Sequence, residues 1–261
     1  MEVIICATAQ QVGETAADKV SRVAAGVGPE VVLGLSTGSS PLATYADLAR
    51  RVDAGTLDLT RAFGFALDEY VGLPQGHPQS YAAVIKRTVT VPLKMDPSRV
   101  HAPNGFADDI AGAAAEYERQ IQDAGGVDIL ILGIGSNGHV GFNEPTSSLS
   151  SRTRIKTLDS QTRVDNARFF ADPLQVPTHC VTQGLGTIMD ARQIVLVAQG
   201  KQKATAIAAM VEGPVTSRRP GSVLQFHPHA TIVIDEAAAS ELELRDYYID
   251  TYARRPFWQQ F

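Results

Sequence analysis

Short apolar runs alternate with longer amphipathic stretches along the chain. Runs rich in valine and isoleucine, each of a length typical of a buried strand, occupy residues 3–6, 31–35, 63–67, 127–132, 194–198 and 231–234. Apolar residues at helical spacing mark the stretches 10–25, 42–52, 107–122, 204–211 and a C-terminal segment from about residue 237. Near-continuous apolar strands are typical of burial on both faces. The alternation therefore predicts an α/β fold, an open, mainly parallel sheet with helices on both faces.

Two of the predicted helices begin with capping signals. Thr8 and Gln11 have the spacing of a capping box, in which side chains satisfy free N–H groups of the first turn. Ser40 followed by Pro41 predicts a cap and then a proline at the first helical position.

Length and composition fit one globular domain. With 261 residues, 44% of them hydrophobic and 20% charged, the chain is unlike a disordered protein, a collagen or a coiled coil. Residues 1–261 are therefore expected to form a single domain. One long irregular stretch, residues 133–159, interrupts the alternation. Such loops usually carry function, and the part after residue 145 is expected to be a lid-like segment.

Charge and cysteine usage limit the partners. The formal net charge is −5, from 23 basic and 28 acidic residues, which argues against a nucleic-acid or anionic membrane surface. Any anionic ligand must find local positive charge. No apolar run approaches the ~20 residues of a membrane span. Cys6 and Cys180 are far apart and have no cysteine or histidine at metal spacing, so we expect no disulfide, no metal and a reducing, cytoplasmic location.

A loop of small residues follows the second predicted strand. Thr37, Gly38 and Ser39 stand between that strand and a helix, where free N–H groups and the positive end of the helix dipole can hold a phosphate. The lysine of a nucleoside-triphosphate loop is missing. A simple phosphate ester and a mere tight turn both remain interpretations of this motif.

Two acidic residues, Asp68 and Glu69, directly follow the third predicted strand. Open α/β sheets bind ligands at the carboxyl ends of their strands. A carboxylate that emerges from an apolar strand is partly desolvated, which raises its pKa and suits it to take a proton from carbon. Helix capping is the alternative, and it is favoured for one acid of the pair.

The third motif resembles a dinucleotide-binding fingerprint. Gly133, Gly135 and Gly138 form a G-x-G-x-x-G after a predicted strand, and Asp159 lies about twenty residues further on. That fingerprint must open a helix, however, and Pro145 would fall inside the helix at a cost of ~3 kcal/mol. The stretch is therefore predicted to be a loop that presents side chains to a ligand.

Asn137, His139 and Glu144 give this loop its chemistry. Histidine titrates near neutral pH, and a carboxylate bonded to one ring nitrogen fixes the tautomer and favours the charged ring. Glycines let the backbone approach a ligand closely. A histidine satisfied by local backbone is the competing interpretation.

Positive charge is concentrated after the loop. Basic and uncharged residues alternate with the period of a strand, with one basic and one packed face, over Arg152, Thr153, Arg154, Ile155, Lys156 and Thr157. With Ser147 they could hold a second anion, although charges on an edge strand more often prevent edge-to-edge pairing. Arg168 and Lys203 are isolated cations, and each alone fits a solvated charge.

Three stretches, residues 67–74, 133–145 and 147–158, resemble the glucosamine-6-phosphate deaminase family. The resemblance covers nearly the whole chain, since it extends to Ser36-Thr37-Gly38 before Pro41, to Thr162-Arg163-Val164 before Arg168-Phe169-Phe170 and to Gln202-Lys203-Ala204. It implies a Rossmann-like fold shared with 6-phosphogluconolactonases and ribose-5-phosphate isomerases. It also implies conversion of glucosamine 6-phosphate and water to fructose 6-phosphate and ammonia, with no metal or organic cofactor.

The resemblance assigns roles to residues. It implies that Asp68 moves a proton between C2 and C1, that His139 opens the sugar ring, and that Glu144 orients and charges the histidine. The residues that it implies for substrate binding are Thr37, Gly38, Ser39, Gly133, Arg168 and Lys203. Asn137 departs from the best-known members, which have an aspartate there. Because an amide orients without bringing charge, Glu144 alone is expected to supply the negative charge beside His139.

Regulation differs within the family. Some members are hexamers that N-acetylglucosamine 6-phosphate activates at a subunit interface, and others are small and unregulated. Ser147, Arg154 and Lys156 match that effector site, whereas the C-terminal stretch 247–258 matches it less clearly. The resemblance therefore leaves an effector site and a homo-oligomer open.

Three other functions fit parts of the pattern. A 6-phosphogluconolactonase-type hydrolase could use the same phosphate loop and histidine, but it needs no carbon-acid base such as Asp68. A sugar-phosphate sensor without turnover does not need Asp68, His139 and Glu144 together. An NAD-dependent oxidoreductase is the weakest alternative, because the glycine motif does not open a helix.

Overall fold

The structure, a computed structural model, describes residues 1–256 of the chain. Over that range the strands are β1 (Glu2–Cys6), β2 (Val32–Leu35), β3 (Phe63–Ala66), β4 (Asp68–Val71), β5 (Val100–His101), β6 (Ile129–Leu132), β7 (Arg154–Thr157), β8 (His179–Thr182), β9 (Gln193–Ala198) and β10 (Ala230–Asp235). The α-helices are α1 (Ala9–Val27), α2 (Leu42–Asp53), α3 (Tyr81–Ile85), α4 (Ile110–Asp123), α5 (Ser160–Ala167), α6 (Leu185–Met189), α7 (Ala204–Val211) and α8 (Arg245–Ala253). A π-helical turn, Lys86–Thr90, continues α3, and the longest 3₁₀ segment is Pro220–Phe226.

Seven strands form a parallel sheet in the order β1-β10-β9-β6-β2-β3-β5. All six predicted strands lie in it, each within two residues of its predicted ends, and the open parallel sheet is confirmed. β5 adds a seventh strand of two residues, too short to show a hydrophobic pattern. From β2 the chain adds strands toward one edge of the sheet, through β3 to β5. From β6 it adds strands toward the opposite edge, through β9 to β10. β2 and β6 are therefore neighbours from which the chain leads in opposite directions.

Two apolar layers cover the sheet, because alternate strand residues face opposite sides. In β9, Ile194 and Leu196 pack with residues of α4, α6 and α7, whereas Val195 and Val197 pack with α1 and α2. All four side chains are fully buried. Burying one such side chain contributes roughly 1.5–3 kcal/mol, so the two layers hold the strand ends, and the loops that follow them, in fixed positions.

The predicted helices α1, α2, α4 and α7 are confirmed, within three residues at their ends. The last predicted helix begins later, at Arg245 rather than near residue 237. The reason is a local turn, in which the Asp235 carboxylate accepts the N–H groups of Gly200 and Ala238. Residues 257 and 258 of the C-terminal stretch lie outside the described part of the chain.

Of the two capping predictions, one is confirmed and one is wrong. The Thr8 hydroxyl accepts the Gln11 N–H at 3.1 Å and starts α1. Ser40 does not cap α2, which begins at Leu42 after Pro41 and has no side-chain cap. The Ser40 carbonyl instead accepts a hydrogen bond from the Gln199 amide at 3.1 Å, which ties this turn to the end of β9.

A second, antiparallel sheet, β4-β8-β7, is the main feature that the hydrophobic pattern did not predict. Leu67 joins the two sheets, since its N–H donates to Leu35 of the parallel sheet and its carbonyl accepts the N–H of Gln183 just after β8. The run 63–67 thus ends one sheet and leads directly into the other. Asp68 is the first residue of β4, where the sheets meet.

β7 is an edge strand of the small sheet, as the alternating charges predicted, but its faces are reversed. Ile155 is 47% exposed, so the expected packing of the uncharged face is wrong. Arg154 and Lys156 are half-buried instead. The register opposes Arg154 to Thr182 in β8, and the Arg154 guanidinium donates to the buried Asn143 side chain at 2.8 Å.

Candidate active site

A cavity of about 440 Å³ opens at the carboxyl edge of the parallel sheet, where β2 and β6 are neighbours. Open α/β sheets bind ligands at this kind of position, because the loops that follow the two strands diverge and leave a crevice. The structure brings eight predicted site residues into the cavity wall, namely Thr37, Gly38, Ser39, Asp68, Gly133, His139, Arg168 and Lys203. Asn137 and Glu144 contact one another and the histidine.

Cations line one end of the cavity. The loop after β2 carries Gly38 at a φ of +93°, a conformation that glycine adopts readily. Arg168, directly after α5, donates to the Ser39 hydroxyl at 3.4 Å. The Lys203 amine donates to the Ile134 carbonyl at 2.6 Å, and burial lowers its pKa, against the opposing effect of Asp165. This end supplies the local positive charge that an anionic ligand needs in a net-acidic protein.

The lid-like segment contributes to the same wall. After residue 145 the chain forms β7 and α5 before it returns through β8 to the small sheet. Arg168, Phe169 and Phe170, which follow α5, line the cavity. Phe170 packs edge-on against Tyr70, with ring centroids 5.8 Å apart.

Asp68 also lies in the cavity wall, and only 5% of it is exposed. Burial, together with the negative charge of Glu69, raises the pKa of Asp68 to about 8, while the N–H of Phe142 opposes the rise. A carboxylate with this pKa is a far stronger base than an exposed aspartate. It is therefore matched to proton abstraction near neutral pH.

Glu69 points away from the cavity and caps a helix. Its Oε1 accepts the N–H groups of Tyr70 and Tyr81, at 2.8 and 2.9 Å, and its Oε2 accepts that of Ala82 at 2.9 Å. The N–H groups of Tyr81 and Ala82 lie at the start of α3, whereas that of Tyr70 belongs to β4. The prediction that one acid of the pair caps a helix is confirmed.

His139, Glu144 and Asn137 form one connected group. Nδ1 of His139 lies 3.3 Å from Oε2 of Glu144, close enough for an ion pair, but the two atoms are not aligned for a hydrogen bond. The Asn137 amide donates to Glu144 Oε2 at 2.8 Å, and its oxygen accepts the His139 N–H at 3.1 Å. Burial alone would raise the pKa of Glu144, but the neighbouring His139, the Thr162 hydroxyl and Asn137 lower it to about 2. Glu144 is thus ionised at neutral pH.

In the glycine loop, residues 133–145, the ring of His139 lies against the backbone of Gly135. A Cβ at Gly135 would lie only 2.3 to 2.5 Å from atoms of the His139 ring, so only glycine leaves room for it. Residues 133–145 form no helix, which confirms the prediction of a loop. Asp159 flanks the start of α5, where its N–H donates to Glu144 at 3.2 Å.

Part of the cavity wall was missed by the sequence reasoning. Gln79, Tyr81, Val84, Arg87 and Thr88 come from α3, its π-helical turn and the loop before them. The Tyr81 ring stacks on Phe142, with centroids 5.7 Å apart and planes 19° apart, and its hydroxyl donates to that of Tyr70 at 3.2 Å. An α-helix of five residues is too short for apolar spacing to reveal. The Ser80 cap was the one available signal.

The residues that match an effector site do not line the cavity. Arg154 and Lys156 are half-buried on β7. Ser147, after the loop, is 2% exposed, and its hydroxyl is a buried group with no hydrogen-bond partner in the described residues. Arg154 reaches the loop through Asn143, the residue before Glu144.

Residues 1–256 contain no group of three or more histidine, cysteine, aspartate or glutamate side chains placed to hold a metal ion. Within the same range, none of the helices has the length and apolar character needed to cross a bilayer.

Together, the doubly wound sheet and a crevice lined by cations, by the buried Asp68 and by the glutamate-paired His139 define an α/β protein with a site for a small anionic ligand. Residues 6–233 match the family described as glucosamine-6-phosphate isomerases/6-phosphogluconolactonase, and the chain belongs to that family.

Several relatives are similar over the whole chain. The glucosamine-6-phosphate deaminase of Cutibacterium acnes is 57% identical over 255 residues, which are 98% of this chain and 97% of the relative. That of Mycolicibacterium smegmatis is 55% identical over 260 residues, 99% of each chain.

Solved structures agree with the fold. The structure of a monomeric glucosamine-6-phosphate deaminase superposes with a TM-score of 0.89 at 38% identity, over 92% of this chain and 100% of that one. The 6-phosphogluconolactonase of Trypanosoma brucei superposes with a TM-score of 0.74 over 92% and 98% of the two chains, but at 17% identity. That second likeness concerns the fold alone.

Proposed function

We propose that this protein is a glucosamine-6-phosphate deaminase, which converts glucosamine 6-phosphate and water to fructose 6-phosphate and ammonia in amino-sugar catabolism. The observation that carries the proposal is the buried Asp68 carboxylate, which shares one cavity with His139 and with the cations. The deaminases that are 55% and 57% identical over nearly the full chain support the same activity.

The phosphate group binds at the cationic end. N–H groups of the Thr37–Ser39 turn and the side chains of Arg168 and Lys203 bind its oxygens. Charge-assisted hydrogen bonds of this kind are about twice as strong as neutral ones. Binding at this end directs the sugar toward Asp68 and the glycine loop, and Gly133 in the cavity wall leaves its backbone accessible to the sugar.

His139 opens the sugar ring. It takes the proton of the anomeric hydroxyl and returns a proton to the ring oxygen, so that the bond between C1 and the ring oxygen breaks and C1 becomes an aldehyde. Glu144, ionised and 3.3 Å from Nδ1, stabilises the charged imidazole during the transfer. Asn137 holds Glu144 and the histidine backbone in register.

Asp68 carries out the isomerisation. Its carboxylate takes the proton from C2 while the C2 ammonium gives a proton to O1, which produces a neutral enolamine. Asp68 then delivers its proton to C1, which leaves a ketiminium at C2. Water adds to C2, ammonia leaves, and fructose 6-phosphate forms. The raised pKa of Asp68, caused first by burial, makes the carboxylate basic enough for a carbon acid.

The alternatives account for fewer of these features. A lactone hydrolase does not need a buried carbon-acid base, and a sensor without turnover does not need the paired His139 and Glu144. For an oxidoreductase, the glycine loop lacks the helix whose N-terminus would bind a dinucleotide.

Regulation and assembly form a second part of the proposal. Ser147, Arg154 and Lys156 form an anion site for N-acetylglucosamine 6-phosphate, and the contact of Arg154 with Asn143 supports this, because Asn143 adjoins Glu144. The deaminase at 38% identity is monomeric, so the oligomeric state of this chain has to be measured in solution. The free, buried thiols of Cys6 and Cys180 support a reducing cytoplasmic location.

The test is incubation with glucosamine 6-phosphate while ammonia and fructose 6-phosphate are both followed. We expect equal release of the two products. The Asp68→Asn variant should lose ~10²–10⁴-fold in turnover, the usual contribution of a general base. Its affinity for fructose 6-phosphate, measured by calorimetry, should stay close to that of the wild type.

Two controls separate the outcomes. Hydrolysis of 6-phosphogluconolactone without ammonia release from the amino sugar would support the hydrolase instead. An Asp68→Asn variant that keeps its turnover would show that another group is the base.

A further inference from the structure

The turn formed by residues 216–222 makes hydrogen bonds to the backbone of the glycine loop directly before His139. We propose that Arg219, in this turn, is a positioning residue of the reaction, which fixes the peptide between Asn137 and Gly138, one residue before His139, and thereby the place of the imidazole in the cavity. The inference rests on the proposed role of His139 in ring opening.

Two successive carbonyl groups of the loop are held by this turn. The Arg219 guanidinium donates to the carbonyl of Asn137 at 2.9 Å. The N–H of Gly221 donates to the carbonyl of Gly138 at 2.8 Å. These are the two peptide units immediately before His139, so neither can rotate without breaking a hydrogen bond to the turn.

The turn is itself closed tightly. The N–H of Arg219 donates to Thr216 and that of Ser222 donates to Arg219, at 3.0 and 2.8 Å. The Ser222 hydroxyl accepts the N–H of Thr216 at 2.9 Å. The carbonyl of Ser217 accepts the N–H of Thr146, at the far end of the catalytic loop, at 2.8 Å. The turn therefore braces the loop on both sides of His139 and Glu144.

The arginine stem also packs against the loop. Gly138 has a φ of +88°, and a Cβ there would lie 3.1 Å from Cδ of Arg219. Arg219 is half-buried, unlike its exposed neighbour Arg218. The aliphatic part of Arg219 thus covers Gly138, while its guanidinium binds the carbonyl of Asn137. Both contacts restrict the backbone of the loop.

Small displacements of His139 should be costly here. Its ring lies against Gly135, and its Nδ1 is 3.3 Å from Glu144 at an angle short of a hydrogen bond. Ring opening requires the imidazole to reach two oxygens of the sugar. A misplacement of about 1 Å in such a group can lower a rate by about 10²-fold.

The experiment compares Arg219→Met, which keeps an apolar stem, with Arg219→Lys, which keeps a donor, and with Arg218→Met, which removes an exposed charge one residue away. For Arg219→Met we expect kcat to fall at least about tenfold while KM changes less than about twofold, because the defect lies in orientation and not in phosphate binding. Arg219→Lys should recover part of kcat, and Arg218→Met should match the wild type.

A second readout separates positioning from general damage. The open-chain analogue 2-amino-2-deoxyglucitol 6-phosphate needs no ring opening, so Arg219→Met should bind it with wild-type affinity. The ¹⁵N signals of the His139 ring should shift in Arg219→Met and stay in place in Arg218→Met.

An unchanged kcat in Arg219→Met would overturn the inference. So would a lower kcat accompanied by weaker binding of the analogue, which would mark a purely structural role. His139→Gln serves as the reference: if that variant keeps full turnover, the role of His139 fails, and the positioning role falls with it. If His139→Gln is inactive but Arg219→Met is fully active, only the positioning role fails.

Discussion

At the scale of single residues, burial of the Asp68 carboxylate makes it more basic but lowers the free energy of unfolding when the carboxylate is ionised. Its pKa in the folded protein is raised to about 8, first by burial and then by Glu69, against ~3.9 for an aspartate in an unfolded chain. A group with a raised pKa stabilises the fold while it is protonated, and this contribution is lost as the pH rises through the folded pKa.

Asp68→Asn should therefore be more stable than the wild type at high pH. The difference in free energy of unfolding should be near zero around pH 4, grow as the pH rises, and level off above about 8, at roughly 2–5 kcal/mol. Urea denaturation at several pH values between 4 and 9 measures it. Asp108→Asn, at an exposed surface position, is the matched control and should follow the wild type. A difference independent of pH would contradict the assignment of a raised pKa to the buried Asp68.

The sequence indicated which residues would carry the chemistry, but not which of them touch. Asp68 and Glu69 are adjacent, and nothing local says which one faces the ligand. That choice is made by the pairing of Asp68 with Thr182, more than a hundred residues later. The same holds for Arg219, whose bond to Asn137 joins positions 82 apart in sequence. Such contacts follow from the tertiary fold and leave no periodic signal.

At the scale of elements, α3 depends on a carboxylate from a neighbouring strand. The helix has five residues, too few to be stable alone. Glu69 satisfies N–H groups of Tyr81 and Ala82 at its start, and the Ser80 hydroxyl accepts that of Ala83. The helix in turn places Tyr81 in the cavity wall.

Glu69→Ala should destabilise the protein by roughly 2–3 kcal/mol, because it leaves three N–H groups without their acceptor. Glu69→Gln should lose about half as much, since one oxygen remains. Ser80→Ala, which removes a single cap, should cost ~1 kcal/mol. Urea denaturation gives the free energies, and faster hydrogen exchange at Tyr81 and Ala82 would locate the effect. Equal stability of Glu69→Ala and the wild type would show that the cap is dispensable.

The parallel sheet was predictable because its strands are continuous apolar runs, and burial on both faces leaves that signature whatever the surroundings. The antiparallel sheet was not. β4 follows β3 after a single residue, so both look like one run with polar residues at its end. β7 was recognisable as a strand, but its exposed face depends on which partner it meets. The late start of α8 has a similar cause, since the Asp235 carboxylate closes a turn on a residue of the β9 end.

At the scale of the whole molecule, the small antiparallel sheet connects the protein surface to the glycine loop, residues 133–145. Arg154 of β7 donates to Asn143, which in turn donates to the carbonyls of Val140 and Gln183. Asn143 is fully buried, so its side chain has no freedom to exchange these partners for water. An anion bound at Arg154 would therefore compete directly with Asn143 of the glycine loop for the guanidinium.

This connection makes regulation testable on the intact chain. N-acetylglucosamine 6-phosphate should lower the substrate concentration for half-maximal rate by at least about fivefold, the lower end of a coupling of 1–3 kcal/mol. Arg154→Met should lose the response, whereas Lys94→Met, at a surface ion pair with Asp53, should keep it. Light scattering on the same samples reports assembly against the chain mass of 27.9 kDa. If the saturation curves with and without N-acetylglucosamine 6-phosphate coincide, whatever the oligomeric state, the effector proposal is wrong. Arg154 would then serve only to hold Asn143 in place.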